Sequence, residues 1–176
     1  MEINTQPRAT TSSVAIRYGL LTGVISIIYT FLLMVTGQIG NSALGFLGLA
    51  ILIGGIVLAQ RAFRASNGGF MSYGEGLGIG VLLSLVSGLL STVFSYVYRE
   101  FIDPGVTQQI IDQTRAKLEA GGNMSDEQID QAIAMSQKFS TGPISLVFGI
   151  VFSVIVGLIL SLIISAIMKR TRPEFE

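Results

Sequence analysis

From Tyr18 to Gln60 the chain runs 43 residues without a Lys, Arg, Asp or Glu. A hydrocarbon core roughly 30 Å thick is crossed by about 20 helical residues, so this run is too long for one span. It has to turn back on itself. The polar stretch Thr36-Gly37-Gln38-Ile39-Gly40-Asn41-Ser42 carries two glycines and an Asn that suit a tight turn, which predicts spans over 16–36 and 43–60. Two more apolar runs predict spans over 75–98 and 143–168. A cleaved leader in place of the first span is disfavoured, because the apolar run exceeds the roughly 7–15 residues of such a segment.

Composition agrees with a bilayer rather than a water-filled surrounding. Only 12% of the residues are charged, against about a quarter in soluble proteins. Cysteine and histidine are both absent, which removes disulfides, thiolate metal sites and His-assisted nucleophiles. We therefore expect no enzyme, no metal site and no cofactor. With 11 basic and 11 acidic residues, no net field points to nucleic acid as a partner.

The position of the charges sets the expected topology. Arg8, Arg17, Arg61, Arg64, Lys169, Arg170 and Arg172 fall on one side of a four-span arrangement, and the positive-inside rule makes that side cytoplasmic, with both termini. The segment 99–142 on the other side is net acidic. Within it, Asp103-Pro104 opens a helix, Gly121-Gly122 stops it, and Ser125-Asp126-Glu127-Gln128 is a capping box for a second. This predicts an extracytoplasmic helical hairpin over 103–140, with apolar stripes at Val106, Ile110, Ile111 and Leu118, and at Ile129, Ala132 and Ile133. Tails are expected over 1–13 and 173–176, flanking a single membrane domain over 14–172. The fold class is thus all-α, an integral membrane four-helix bundle with a two-helix insertion between spans three and four.

Small residues recur every fourth position on two spans. The third carries Gly76, Gly80, Ser84, Gly88 and Thr92, and the fourth carries Ser145, Gly149, Ser153, Gly157, Ser161 and Ser165. Lipid offers no hydrophobic drive for helix association, so close backbone approach must supply it, and such flanks favour a crossing near about −40°. Counting from the membrane edges puts Gly88 opposite Gly157. These ladders are read as helix-packing surfaces, within the monomer or between copies. The competing reading is a conduit for an uncharged solute, lined by Ser145, Ser153, Ser161 and Ser165.

Other motifs carry less. Gly74, Gly76, Gly78 and Gly80 match no phosphate-binding spacing. Ionisable groups, the usual mark of ion-coupled transport, are absent from the span interiors, and Glu75, Arg17 and Arg99 sit at edges as caps or anchors.

With four spans, Tyr18-Gly19 and Tyr73-Gly74 at the starts of the first and third, and Tyr96-Val97-Tyr98-Arg99-Glu100-Phe101-Ile102-Asp103-Pro104 leading into the insertion, the chain resembles the bacterial family known as domain of unknown function 4199. The resemblance covers residues from about 14 to 172. It implies a small four-helix protein of the bacterial inner membrane and brings no catalytic residues. The two Tyr-Gly pairs also hint at duplicated hairpins. The expected role is structural or accessory, with the lipid bilayer and either a second copy or another membrane protein as partner; the alternative is a small oligomeric channel or permease.

Overall fold

The structure, a computed structural model, describes residues 10–171. The tail expected over 1–13 falls outside the described residues up to residue 9, and the one over 173–176 falls outside them entirely. Six α-helices make up the fold: α1 (Thr11–Val35), α2 (Ser42–Ser66), α3 (Tyr73–Val97), α4 (Gly105–Gly121), α5 (Asp126–Ser140) and α6 (Ile144–Met168). A π-helical turn, Tyr98–Ile102, extends α3. Among the described residues there is no strand, only an antiparallel backbone pairing of Met71 with Arg170.

Helices α1, α2, α3 and α6 are each 25 residues long, about 37 Å at 1.5 Å per residue, which exceeds a hydrocarbon core of about 30 Å. All four are apolar enough to cross a membrane. Their burial pattern suits lipid outside. On α6, Ser161 and Ser165 are 0% exposed while Phe152 is 68% and Ile167 77% exposed, the reverse of the order that water would impose.

Local chemistry sets the helix ends. The hydroxyl of Thr10 accepts from Ser13 N–H at 3.1 Å, so α1 starts at Thr11, inside the segment expected to be tail. Asn41 caps α2 through Ala43 N–H at 3.0 Å. At α3, Ser72 and Glu75 form a capping box in which the carboxylate accepts from Ser72 N–H at 2.7 Å, so Glu75 is held by its own helix start. Ser125 and Gln128 form the box expected at α5. Helix α4 begins one residue later than expected: Pro104 is its N-cap, and Asp103 still accepts, from Gly105 N–H at 3.0 Å. Gly122 ends that helix at φ 64°, where a side chain would be strained.

In the bundle α3 is central, packing on α1, α2 and α6. One apolar core, with Ala15, Ile56, Phe63, Met71, Ile79 and Leu83, fills the end where the described termini lie. A second, built on Met34, Tyr98 and Val106, lies under α4 at the opposite end. There the α4–α5 hairpin is tied down by polar contacts. Gln113 Nε2 donates to Gly37 O at 3.0 Å, and Lys117 Nζ donates to Gly40 O and to the Ser42 hydroxyl, so α4 is pinned to the α1–α2 turn. Phe139 of α5 packs on Phe148 of α6 with ring centroids 4.7 Å apart and the planes inclined at 57°. The hairpin rests on the bundle through Val106, which packs with Met34 and Tyr98, while Ile129 and Ile133 of α5 are also buried. Met135, two residues beyond Ile133 on α5, is 65% exposed.

Tyr18-Gly19 and Tyr73-Gly74 are not equivalent positions. Gly74 lies in the first turn of α3 with nothing within 4 Å of where its Cβ would be, whereas Gly19 lies well inside α1 against Val86 and Leu83 of α3. The hint of duplication is not carried by the fold.

Candidate functional site

The two small-residue ladders meet. A methyl group on Gly76 would lie 3.0 Å from Ser165 Cβ, one on Gly80 2.7 Å from Ser161 Cβ, one on Gly88 2.6 Å from Ser153 Cβ, and one on Gly149 2.6 Å from Thr92 Cγ2; Gly157 is closed in the same way by Ser84. Each step of four residues along α3 is thus a step of four back along α6. At each of these levels one glycine faces one hydroxyl-bearing residue. The hydroxyl fills the hollow that the missing side chain leaves, which is the dense packing that association in lipid requires. Ser145, at the far end of the α6 ladder, is 7% exposed and donates to Gly142 O at 2.7 Å.

This register corrects the expected one. Gly88 faces Ser153, and Gly157 faces Ser84, one step away from a Gly88–Gly157 pairing. Counting from the membrane edges ignores the π-helical turn that prolongs α3, whereas the alternation of glycine and hydroxyl selects a single register. The steep crossing is corrected too. Contact persists from Gly76 to Thr92, about 24 Å of helix, over which axes crossing at about 40° would be displaced by roughly 8 Å at either end. The helices therefore run nearly side by side.

The same device joins the other helices, at residues that spacing on two spans alone does not single out. On α1, Gly19 meets Val86 and Gly23 meets Leu90 and Ser87 of α3, while Thr22 closes on Gly55 of α2. The signal was Ala15, Gly19 and Gly23 at steps of four. Tyr29 packs over Gly48, its hydroxyl donating to Leu44 O at 2.6 Å. Gln60 ends the charge-free run. It is fully buried and its amide donates to Gly76 O at 3.0 Å and to the Ser165 hydroxyl at 2.8 Å, linking three helices. Gln60 Oε1 and the Ser161 hydroxyl have no partner.

Away from Gln60, α2 and α6 part. Between them lies an open groove of ≈ 460 Å³, walled by Phe46, Leu49, Phe152 and Val156. It adjoins a recess of ≈ 180 Å³ lined by the hydroxyls of Ser26, Ser84, Ser87, Ser91, Thr92 and Ser153, with Gly48, Leu52 and Ser153 shared between the two. Two of these hydroxyls are engaged by carbonyls of their own helices. Ser84 donates to Gly80 O at 2.8 Å and Ser153 to Ile150 O at 2.8 Å, and no base stands beside either. Among the described residues no three His, Cys, Asp or Glu side chains come together in a set that could hold a metal ion. Of the four serines expected to line a conduit, Ser161 and Ser165 are buried against α3, Ser145 is buried with its hydroxyl on Gly142 O, and Ser153 alone reaches the recess.

No curated protein and no solved structure matches the chain. One family does, over residues 17–170, which takes in α1 from Arg17 onward, the other three apolar helices and the hairpin between the last two. The chain is a multi-pass membrane protein belonging to the family described as protein of unknown function, DUF4199.

Proposed function

We propose that this protein is a non-enzymatic structural or accessory component of the bacterial inner membrane, which holds its α4–α5 hairpin at the extracytoplasmic face for a membrane-protein partner or a second copy. The observation that carries this reading is the interlocked seam between α3 and α6. The seam consumes the ladders inside one molecule, so a partner has to meet another surface, and the hairpin is anchored to the bundle by Gln113, Lys117 and Phe139. Sidedness follows from the basic residues. Arg61, Arg64, Lys169 and Arg170 cluster at one end, where Arg64 donates to Met168 O at 3.3 Å, and that end is cytoplasmic by the positive-inside rule.

Two measurements test it. Single cysteines in place of Ser66 and Asn123, both exposed, are expected to react with an impermeant thiol reagent from opposite sides of the membrane; labelling of both from one side overturns the topology. Crosslinking across the hairpin in native membranes is expected to capture a protein in a defined stoichiometry, and a chain that stays monomeric and uncrosslinked there contradicts the accessory role.

The hydroxyl-lined recess favours a second reading, a small oligomeric channel or permease for an uncharged solute. Purified protein in vesicles decides between the two. Glycerol or urea flux above that of empty vesicles, abolished by Ser91→Leu, would establish the permease; no flux removes it.

A further inference from the structure

Arg99 lies in the π-helical turn where α3 ends, and its side chain is folded back instead of extended into water. Its Nε donates to Ser95 O at 3.2 Å and its Nη1 to Ser140 O at 3.4 Å, so the guanidinium is held between the ends of α3 and α5. Among the described residues no carboxylate comes within ion-pair distance of it. The ion pairs are those of Arg115 with Glu119 and Asp130, and the adjacent Glu100 accepts from Gly142 N–H at 3.3 Å. Outside any ion pair, with only the charge of the neighbouring Glu100 acting on it, a partly buried cation gains from an anion set beside it.

The guanidinium borders a cavity of ≈ 40 Å³ between α4 and α5. One water needs about 10–15 Å³ on this measure, so the space holds roughly three water-sized atoms, the size of a carboxylate or the exposed oxygens of a phosphate. Ile111 and Ile133 form an apolar wall, and Thr107, Ser136 and Gln137 stand at the polar edge. These three polar side chains make no hydrogen bond among the described residues, and the remaining N–H groups of Arg99 have no acceptor there. Ser136 is exposed and Thr107 and Gln137 are half-buried, free to turn toward a bound group, and with a planar cation that pairs with two oxygens at once and an apolar wall they converge on one kind of ligand.

We propose that this cavity binds the anionic oxygen group, carboxylate or phosphate, of an amphiphile whose tail leaves along the isoleucine wall into the bilayer. A guanidinium that merely anchors the span at the membrane edge would not need the enclosure.

Full-length protein in a neutral maltoside detergent tests this by native mass spectrometry and thermal shift. The probes are dodecanoate and dioctanoyl phosphatidic acid, with dodecanol, acetate and inorganic phosphate beside them. Saturable binding of the two anionic amphiphiles is expected, weakened at least about tenfold by Arg99→Gln and less by Arg99→Lys. Dodecanol binding as tightly as dodecanoate overturns the proposal. Acetate or phosphate binding as tightly as the amphiphiles keeps the anion site but assigns it to a free anion and overturns the lipidic source. Because Arg99→Gln also removes two backbone contacts, Ser136→Leu, which narrows the cavity and leaves Arg99 in place, is measured as well. Undiminished binding in either variant, with helix content and melting point retained, overturns the proposal.

Discussion

At Gly88 a methyl group would collide with the Ser153 side chain, whose Cβ would be 2.6 Å away, and the serine cannot withdraw because it is itself on a packed helix. Gly88→Ala is therefore expected to destabilise by about 1–3 kcal/mol, the usual cost of overpacking, in reversible unfolding from mixed micelles. Reversing the pair, Gly88→Ser with Ser153→Gly, moves the hydroxyl to the other helix and refills the same hollow. The double variant is expected to recover most of the loss, with a coupling energy of about 0.5–3 kcal/mol; two additive losses would mean that the hollow is not the cause. Gln60 has a different balance. Its two hydrogen bonds are each worth about 0.6 kcal/mol in a bilayer setting, but its Oε1 is buried without a partner, and that group weighs against them. Gln60→Leu, close in volume, is expected to change stability by less than about 1 kcal/mol, whereas Gln60→Ala also leaves a cavity and costs more. On the hairpin, the Arg115 guanidinium is raised above its ordinary value by the hydrogen bond to Asp130 and by the charge of that carboxylate. A cation whose pKa rises on folding stabilises at every pH below its unfolded value and loses this only as pH climbs through the raised one. Arg115 is exposed, so salt screens the pair. Circular dichroism is expected to show no melting of α4 and α5 between about pH 7 and 10 from this pair, and a melting step in that interval would contradict the assignment.

Among the elements, α3 and α6 form the least adjustable pair and α2 the most loosely held one. Contacts of α2 with α6 concentrate where Gln60 meets Ser165 and Arg64 meets Met168, and the open groove begins beyond them. Cysteine pairs should report the difference. A disulfide between Thr92→Cys and Gly149→Cys, whose Cβ atoms would lie 3.4 Å apart, close to disulfide geometry, is expected to form readily, while one between Phe46→Cys and Phe152→Cys, across the groove, is expected to form slowly or not at all; equal rates would mean that the groove closes in the membrane. The helices themselves were legible from sequence, because a span is declared by local hydropathy and a cap by residues three apart, as at Ser125 and Gln128. The ladder residues were legible for the same reason. Their register was not, because it depends on which hollow each hydroxyl fills, and that is a relation between Ser153 and Gly88 rather than a property of either helix. Gln60 was invisible for a related reason: at the end of an apolar run, a lone amide reads as the membrane edge until a second and third helix are seen to close over it.

For the whole molecule, the distribution of polarity is the informative feature. Hydroxyls and the Gln60 amide face inward while Phe46, Phe152 and Ile167 face outward, so transfer to water should be disastrous where transfer between lipids is not. The protein is expected to stay monodisperse in maltoside and to aggregate on detergent removal unless vesicles are supplied, which size-exclusion chromatography checks directly. The seam also limits how such a body can move. A slip of one step, about 6 Å, would bring Gly88 to Gly157 and Ser84 to Ser161, an empty gap beside a collision. Between those positions nothing fits. The pair behaves like a key in its wards, able to tilt but not to slide. A push on the hairpin is therefore not absorbed by sliding of α6 along α3.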